Sequence, residues 1–213
     1  MAGFPKNRIS RERQEQALRE SLSFGDFIES AQANRETLRE NYAAYELNEQ
    51  DLDFFAELEK PVVVLALAHD WCGDVAANLP LFARLEQATG KLNLRIIPRD
   101  PGNRDIADLY PYKDGQSRIP TYLFFSEAGE ELGYFIERPD DITVLLKVWQ
   151  EQFWTTHPEL EGRGKPFGEL AEDVRGALLA DLKTRRQEVR NLEKSAILGH
   201  IRGILSPQAE RAV

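Results

Sequence analysis

Residues 62–75 read Val-Val-Val-Leu-Ala-Leu-Ala-His-Asp-Trp-Cys-Gly-Asp-Val, and the change of character along them decides the fold. Residues 62–68 are apolar on both alternating faces, as a strand covered on both sides must be. Lys60-Pro61 marks the boundary before that strand. Beyond Trp71-Cys72-Gly73-Asp74 a helix is predicted over 76–89, with Leu79, Leu81, Phe82 and Leu85 facing inward and Gly90 as its stop. Pro80 lies inside it and predicts a kink. Residues 92–97 (LNLRII) make a second strand. Strand, helix and strand in this order form a right-handed crossover, so the class is α/β.

Downstream, residues 103–110 predict a short helix and Lys113-Asp114-Gly115 a polar turn. Ile119-Pro120-Thr121 introduces an aromatic strand over 122–125. Ala128-Gly129-Glu130 is a hairpin turn, and 132–136 is the return strand. Pro139 opens a helix whose first turn carries Asp140 and Asp141, where the helix dipole favours carboxylates. Residues 155–168 read as a loop. A helical segment over 169–194 and a weaker one to Leu205 follow; their narrow apolar stripe packs on the domain or pairs with a second subunit.

Upstream, residues 1–22 are polar and predict at most a short helix. Ser23 caps a helix expected to run from Phe24 to about Ala44, and Asn48, with Asp51 three residues on, caps another. The organisation expected is a helical extension over 1–58, a central domain over 59–156 and a second helical extension over 157–213.

Composition narrows the function. A formal net charge of −9 argues against nucleic acid, because binding phosphate needs a cationic surface. No apolar run is long enough to span a bilayer, and the polar N-terminus lacks the apolar core of a secretory signal. A single cysteine cannot form an internal disulfide or a multi-cysteine zinc site, and fits a reducing cytoplasm. Neither a metal nor a cofactor is expected. His157 and His200 have no partners at metal-ligand spacing, Asp100, Asp105 and Asp108 do not form a calcium loop, and there is no phosphate-binding glycine loop. His69 and Asp70 border the cysteine.

Trp71-Cys72-Gly73-Asp74-Val75 at the start of a helix, and Ile119-Pro120 opening a later strand, together resemble the thioredoxin superfamily, whose active site is Trp-Cys-Gly-Pro-Cys and whose second hallmark is a cis-proline. The resemblance covers about residues 55–155 and implies a mixed sheet flanked by helices, with extra N-terminal and C-terminal helices. Asp-Trp-Cys-Gly-Asp and Glu137-Arg138-Pro139 are similar to a bacterial branch with one active-site cysteine. It implies that Pro120 lies opposite Cys72, that the Ile119 backbone pairs with an extended substrate, and that Arg118 brings positive charge near the sulfur.

The residues themselves support such chemistry. A thiol at a helix N-terminus faces unpaired N–H groups, which favour its thiolate; a low pKa is therefore expected for Cys72. Gly73 leaves room for a partner, and Trp71 offers an apolar face. Asp74 either opposes the thiolate, accepts its proton, or is a plain first-turn residue. Val75 stands where the family has its second cysteine, so a mixed disulfide at Cys72 needs an external thiol for release. The expectation is a monothiol protein exchanging disulfides with protein or low-molecular-weight thiol disulfides. The alternatives are a thioredoxin-fold binding or chaperone-like module with an inert, buried thiol, and, more remotely, an iron–sulfur carrier, against which the missing glutaredoxin-type Cys-Gly-Phe-Ser counts.

Overall fold

The computed structural model describes residues 7–206. Within them the chain forms two compact units, one from residues 7–137 with 198–206 and one from 138–197. The first holds a four-stranded sheet of β1 (Val62–Leu67), β2 (Leu92–Ile97), β3 (Thr121–Ser126) and β4 (Glu131–Ile136), in the order β2-β1-β3-β4. β1 runs parallel to β2 and antiparallel to β3, and β3 pairs antiparallel with β4. The mixed α/β sheet expected from the sequence is present.

Strand alternation divides the core. On one face Leu65, Leu67, Ile97, Leu123, Phe125 and Ile136 pack together with Ile106, Ala107 and Tyr110. The opposite face meets α5 (Gly73–Thr89), where Phe82 stacks on Tyr122 of β3 at 3.9 Å between ring centroids. The β1–β3 register places Val64 opposite Phe124 and Leu65 opposite Leu123. That is how one central strand can be apolar at every position.

The N-terminal segment is more regular than expected. α1 (Arg11–Glu20) is capped by the Ser10 hydroxyl, which accepts the Arg13 N–H. Residues 1–6, also expected to be loosely held, lie outside the described residues. Leu22 then exchanges two backbone hydrogen bonds with Ile96, at 2.8 and 2.9 Å, and so covers the edge of β2. Ser23 caps as expected, but the single helix from Phe24 to Ala44 is two: α2 (Phe24–Ser30) and α3 (Arg35–Ala44). Asn34 adopts a left-handed conformation (φ 50°) between them, and the Gln32 and Ala33 N–H groups bond to the Asp70 carboxylate. Those groups are thereby withdrawn from a continuous helix. α4 (Glu49–Ala56) starts with the Asn48–Asp51 reciprocal cap. α6 (Arg104–Ala107) is shorter than expected.

α5 begins at Gly73, three residues before the predicted start, and ends at Gly90 in the left-handed conformation (φ 60°). Pro80 lacks the N–H that would bond the carbonyl four residues back, at Ala76. Asn41 of α3 supplies it: its Nδ2 donates to Ala76 O at 2.8 Å, while the Tyr45 hydroxyl donates to Ala77 O at 3.0 Å. The proline is thus accommodated by a neighbouring helix. Asn41→Ala should leave that buried carbonyl without its donor and cost about 1–3 kcal/mol, measured as a lower denaturant midpoint.

The second unit holds α7 (Asp140–Thr156), which follows Pro139 as expected, α8 (Glu172–Glu188) and the first half of α9 (Arg190–Leu205), up to Ile197. The break falls at Val189, earlier than predicted. Part of the apolar stripe has a definite partner within this unit, since Leu170, Val174 and Leu178 pack with Phe153 and Trp154 of α7. Among the described residues no helix is long and apolar enough to cross a membrane.

Candidate functional site

Cys72 is the N-cap of α5, at the C-terminal end of the central strand. It is half-buried, and its Sγ lies 3.5 Å from the carbonyl oxygen of Ile119, to which the thiol donates. The Ile119–Pro120 peptide bond is cis. Two stretches 47 residues apart in sequence therefore meet at the sulfur. The β1–β3 pairing brings them together, because Leu67 and Thr121 are partners at its end.

The surroundings raise the thiol pKa rather than lowering it. Burial is the largest cause, followed by the negative charge of Asp74. Backbone N–H groups of Val75 and Asp74 favour the thiolate, as the helix N-terminus predicts, but they are outweighed, and Glu137 adds further negative charge. The expectation of a low pKa is therefore corrected. A helix N-terminus favours an anion, but partial removal from water beside carboxylates disfavours it more.

Arg118 has carboxylate partners of its own. Its guanidinium bonds to Asp114, lies 3.7 Å from Glu137 Oε1, and sits over the Tyr112 ring at 5.7 Å. The charges felt most strongly at the sulfur are instead those of Asp74 and then Glu137. Glu137 was not picked out as a site residue by sequence reasoning. It is a buried residue with φ 58°, its N–H donates to Pro120 O at 2.7 Å, and its carbonyl accepts from Asn78 Nδ2 of α5 at 2.9 Å. The sequence signal for it was the Glu137-Arg138-Pro139 stretch that the family resemblance includes.

Trp71 projects into solvent with 58% of its surface exposed, and its ring stacks on His69 at 5.3 Å. His69 Nε2 accepts the Asp100 N–H at 3.1 Å, and burial lowers its pKa. Asp100 is ion-paired to Arg99 and Arg104, at 2.7 and 2.9 Å, and precedes a second cis-proline, Pro101. Gly73 is exposed, and a Cβ there would meet nothing. The structure thus gathers Trp71, Cys72, Gly73, Asp74, Ile119 and Pro120 at one end of the sheet, with Arg118 engaged by carboxylates beside them. Among the described residues no cluster of His, Cys, Asp or Glu could hold a metal ion.

A mixed sheet flanked by helices, with a strand-end thiol near a cis-proline, defines a thioredoxin-like fold. A family model described as Thioredoxin matches residues 21–151, and the chain belongs to that family. Two crystal structures share the fold. An HIV epitope-scaffold is 17% identical with a TM-score of 0.55, over 80% of this chain and 97% of its own. A protein of unknown function from Pseudomonas aeruginosa is 17% identical with a TM-score of 0.54, over 83% and 99%. At that identity the likeness shows fold alone. No curated protein matches the chain.

Proposed function

We propose that this protein is a monothiol thioredoxin-like protein that exchanges disulfides with protein or low-molecular-weight thiol disulfides through Cys72. The observation that carries this reading is the 3.5 Å approach of Cys72 Sγ to Ile119 O beside cis-Pro120, with the exposed Trp71 ring next to it. In the first step the Cys72 thiolate attacks one sulfur of a disulfide, forming a mixed disulfide and releasing the other half as a thiolate that takes up a proton. Val75 occupies the position of a resolving cysteine, and Cys72 is the chain's only cysteine. A second, external thiolate therefore attacks the mixed disulfide, leaving with the substrate half as a new disulfide and regenerating Cys72. A cytoplasmic thiol pool would supply that reductant. Gly73 keeps the approach open, and the Ile119 backbone offers an edge for an extended peptide.

The raised thiol pKa predicts slow attack at neutral pH and faster attack as pH rises. Its alkylation midpoint should lie above that of free cysteine, about 8.5. Asp74→Asn removes the larger of the two opposing charges and should lower the midpoint; an unchanged midpoint would leave burial and Glu137 as the causes of the shift. The function itself is tested by mass spectrometry of the intact protein after incubation with oxidised glutathione at alkaline pH. A single adduct on Cys72, removed by excess thiol, is expected; no adduct on the folded protein would sink the reading. The same raised pKa favours a second reading, a binding module that uses this end of the sheet without the chemistry, and under it Cys72→Ser leaves partner binding intact.

A further inference from the structure

Asp70, immediately before Trp71, joins the N-terminal helices to the site. Its Oδ2 accepts the backbone N–H groups of Gln32 and Ala33 at 2.6 and 2.7 Å, and its carbonyl accepts Asn34 Nδ2 at 2.9 Å. The α2–α3 corner that supplies these donors is itself braced. Arg35 donates to Ala31 O at 2.8 and 3.1 Å and to Glu29 O at 2.8 Å. On the other side of the same loop, His69 receives the Asp100 N–H and stacks on Trp71. A turn then closes from Cys72 N to His69 O at 3.1 Å. The three residues leading into Cys72 are thus pinned from both sides, and the Asp70 side comes wholly from the helical extension.

We infer that Asp70 is a positioning residue: by clasping the α2–α3 corner it sets how deeply Cys72 sits and hence how reactive its thiol is. This rests on Cys72 being the reacting group. The N–H groups that favour its thiolate belong to α5 itself and remain when the loop loosens. Burial, the largest opposing cause, depends on where the loop is held. Loosening should therefore shift the balance toward thiolate. The charged neighbours that act on the sulfur, Asp74 from α5 and Glu137 from the end of β4, with Arg118 paired to Glu137, are left in place by every variant below.

The test is the pH dependence of Cys72 alkylation by iodoacetamide in wild type, Asp70→Ala, Asp70→Asn and Asn34→Gly, with denaturant unfolding of each. Asn34→Gly deletes one clasp bond while suiting the left-handed backbone at position 34, so it carries the test should Asp70→Ala fail to fold. Asp70→Ala and Asn34→Gly are expected to move the midpoint down by about half a pH unit, roughly a threefold gain in thiolate at neutral pH. Asp70→Asn keeps an acceptor oxygen for both N–H groups and should follow the wild-type profile. If the folded Asp70→Ala and Asn34→Gly proteins lose stability but titrate as wild type does, Asp70 is merely structural and the inference is overturned. An Asp70→Asn profile displaced as far as that of Asp70→Ala overturns it too, since charge rather than the clasp would then be responsible. Iodoacetamide reads thiolate whether or not the protein exchanges disulfides, so a missing glutathione adduct defeats the functional proposal without touching this one.

Discussion

Phe82→Ala is expected to remove about 3–5 kcal/mol of stability from the sheet-bearing unit. Phe82 is fully buried on α5. Its ring stacks on Tyr122 at 3.9 Å with 14° between planes and lies 6.3 Å from Phe124. Tyr122 in turn stacks on Phe135 at 5.9 Å, so one side chain links the helix to β3 and, through it, to β4. Removing it takes away both the transfer energy of the ring and the contacts its neighbours made with it. Interiors packed this closely refill such a space only in part. Since a domain's net stability is about 5–15 kcal/mol, the loss should appear in urea as a large fall in midpoint. Phe82→Leu keeps much of the volume and should cost clearly less. A loss from Phe82→Ala no greater than that from Phe82→Leu would mean that the helix is not anchored at this ring. Cys72 begins the same helix, so the variant also tests how firmly the thiol is held.

Glu193→Ala should cost about as much, roughly 3–5 kcal/mol, but in the other unit. Glu193 is 1% exposed, and its two carboxylate oxygens receive Arg186 Nε and Nη2 at 2.9 and 2.5 Å. The pair closes over the break at Val189, holding the end of α8 to the start of α9. Taking away the carboxylate leaves a largely buried guanidinium without its main counter-charge, and that accounts for the size of the effect. An exposed pair in the same unit, Arg163 with Glu151 at 2.8 Å, should matter little, because water screens it and both side chains are mobile. The buried indoles of Trp149 and Trp154 lie in this unit, so their fluorescence reports its unfolding. Double substitution to Arg186→Met and Glu193→Leu should recover much of the loss; if Glu193→Ala is no worse than Glu151→Ala, the burial of this pair is energetically irrelevant.

How far the sequence could be read depended on where each element's hydrogen bonds go. β1 was legible from its short continuous apolar run and β2 from apolar residues at alternate positions, and residues 92–97 match β2 to the residue. The caps at Ser23 and Asn48 were legible because a cap uses only neighbouring residues. The break at Ala31–Asn34 was not, since its cause is Asp70, a carboxylate 37 residues away. Pro80 gave notice of an irregular helix, but not that Asn41 would supply its missing bond. Arg118 had the right position for a helper cation, but Asp114 and Glu137 engage it.

Cys72 itself shows the same division. By itself the sequence determined that one thiol follows a buried strand at a helix start, that an Ile-Pro dipeptide opens a later strand, and that no second cysteine can resolve a disulfide. These follow from local periodicity and from residue identity, which need no third dimension. Only the tertiary structure decided the thiol's acidity, because it sets the burial, adds the charge of Glu137 and decides among the roles that the sequence left open for Asp74. It also decided what holds the thiol in place: Ile119 across the sheet, and Asp70 reaching back to the N-terminal helices. A pKa compares how the charged and neutral forms are stabilised, and the burial, Ile119 and Glu137 that act on this sulfur are brought to it only by folding.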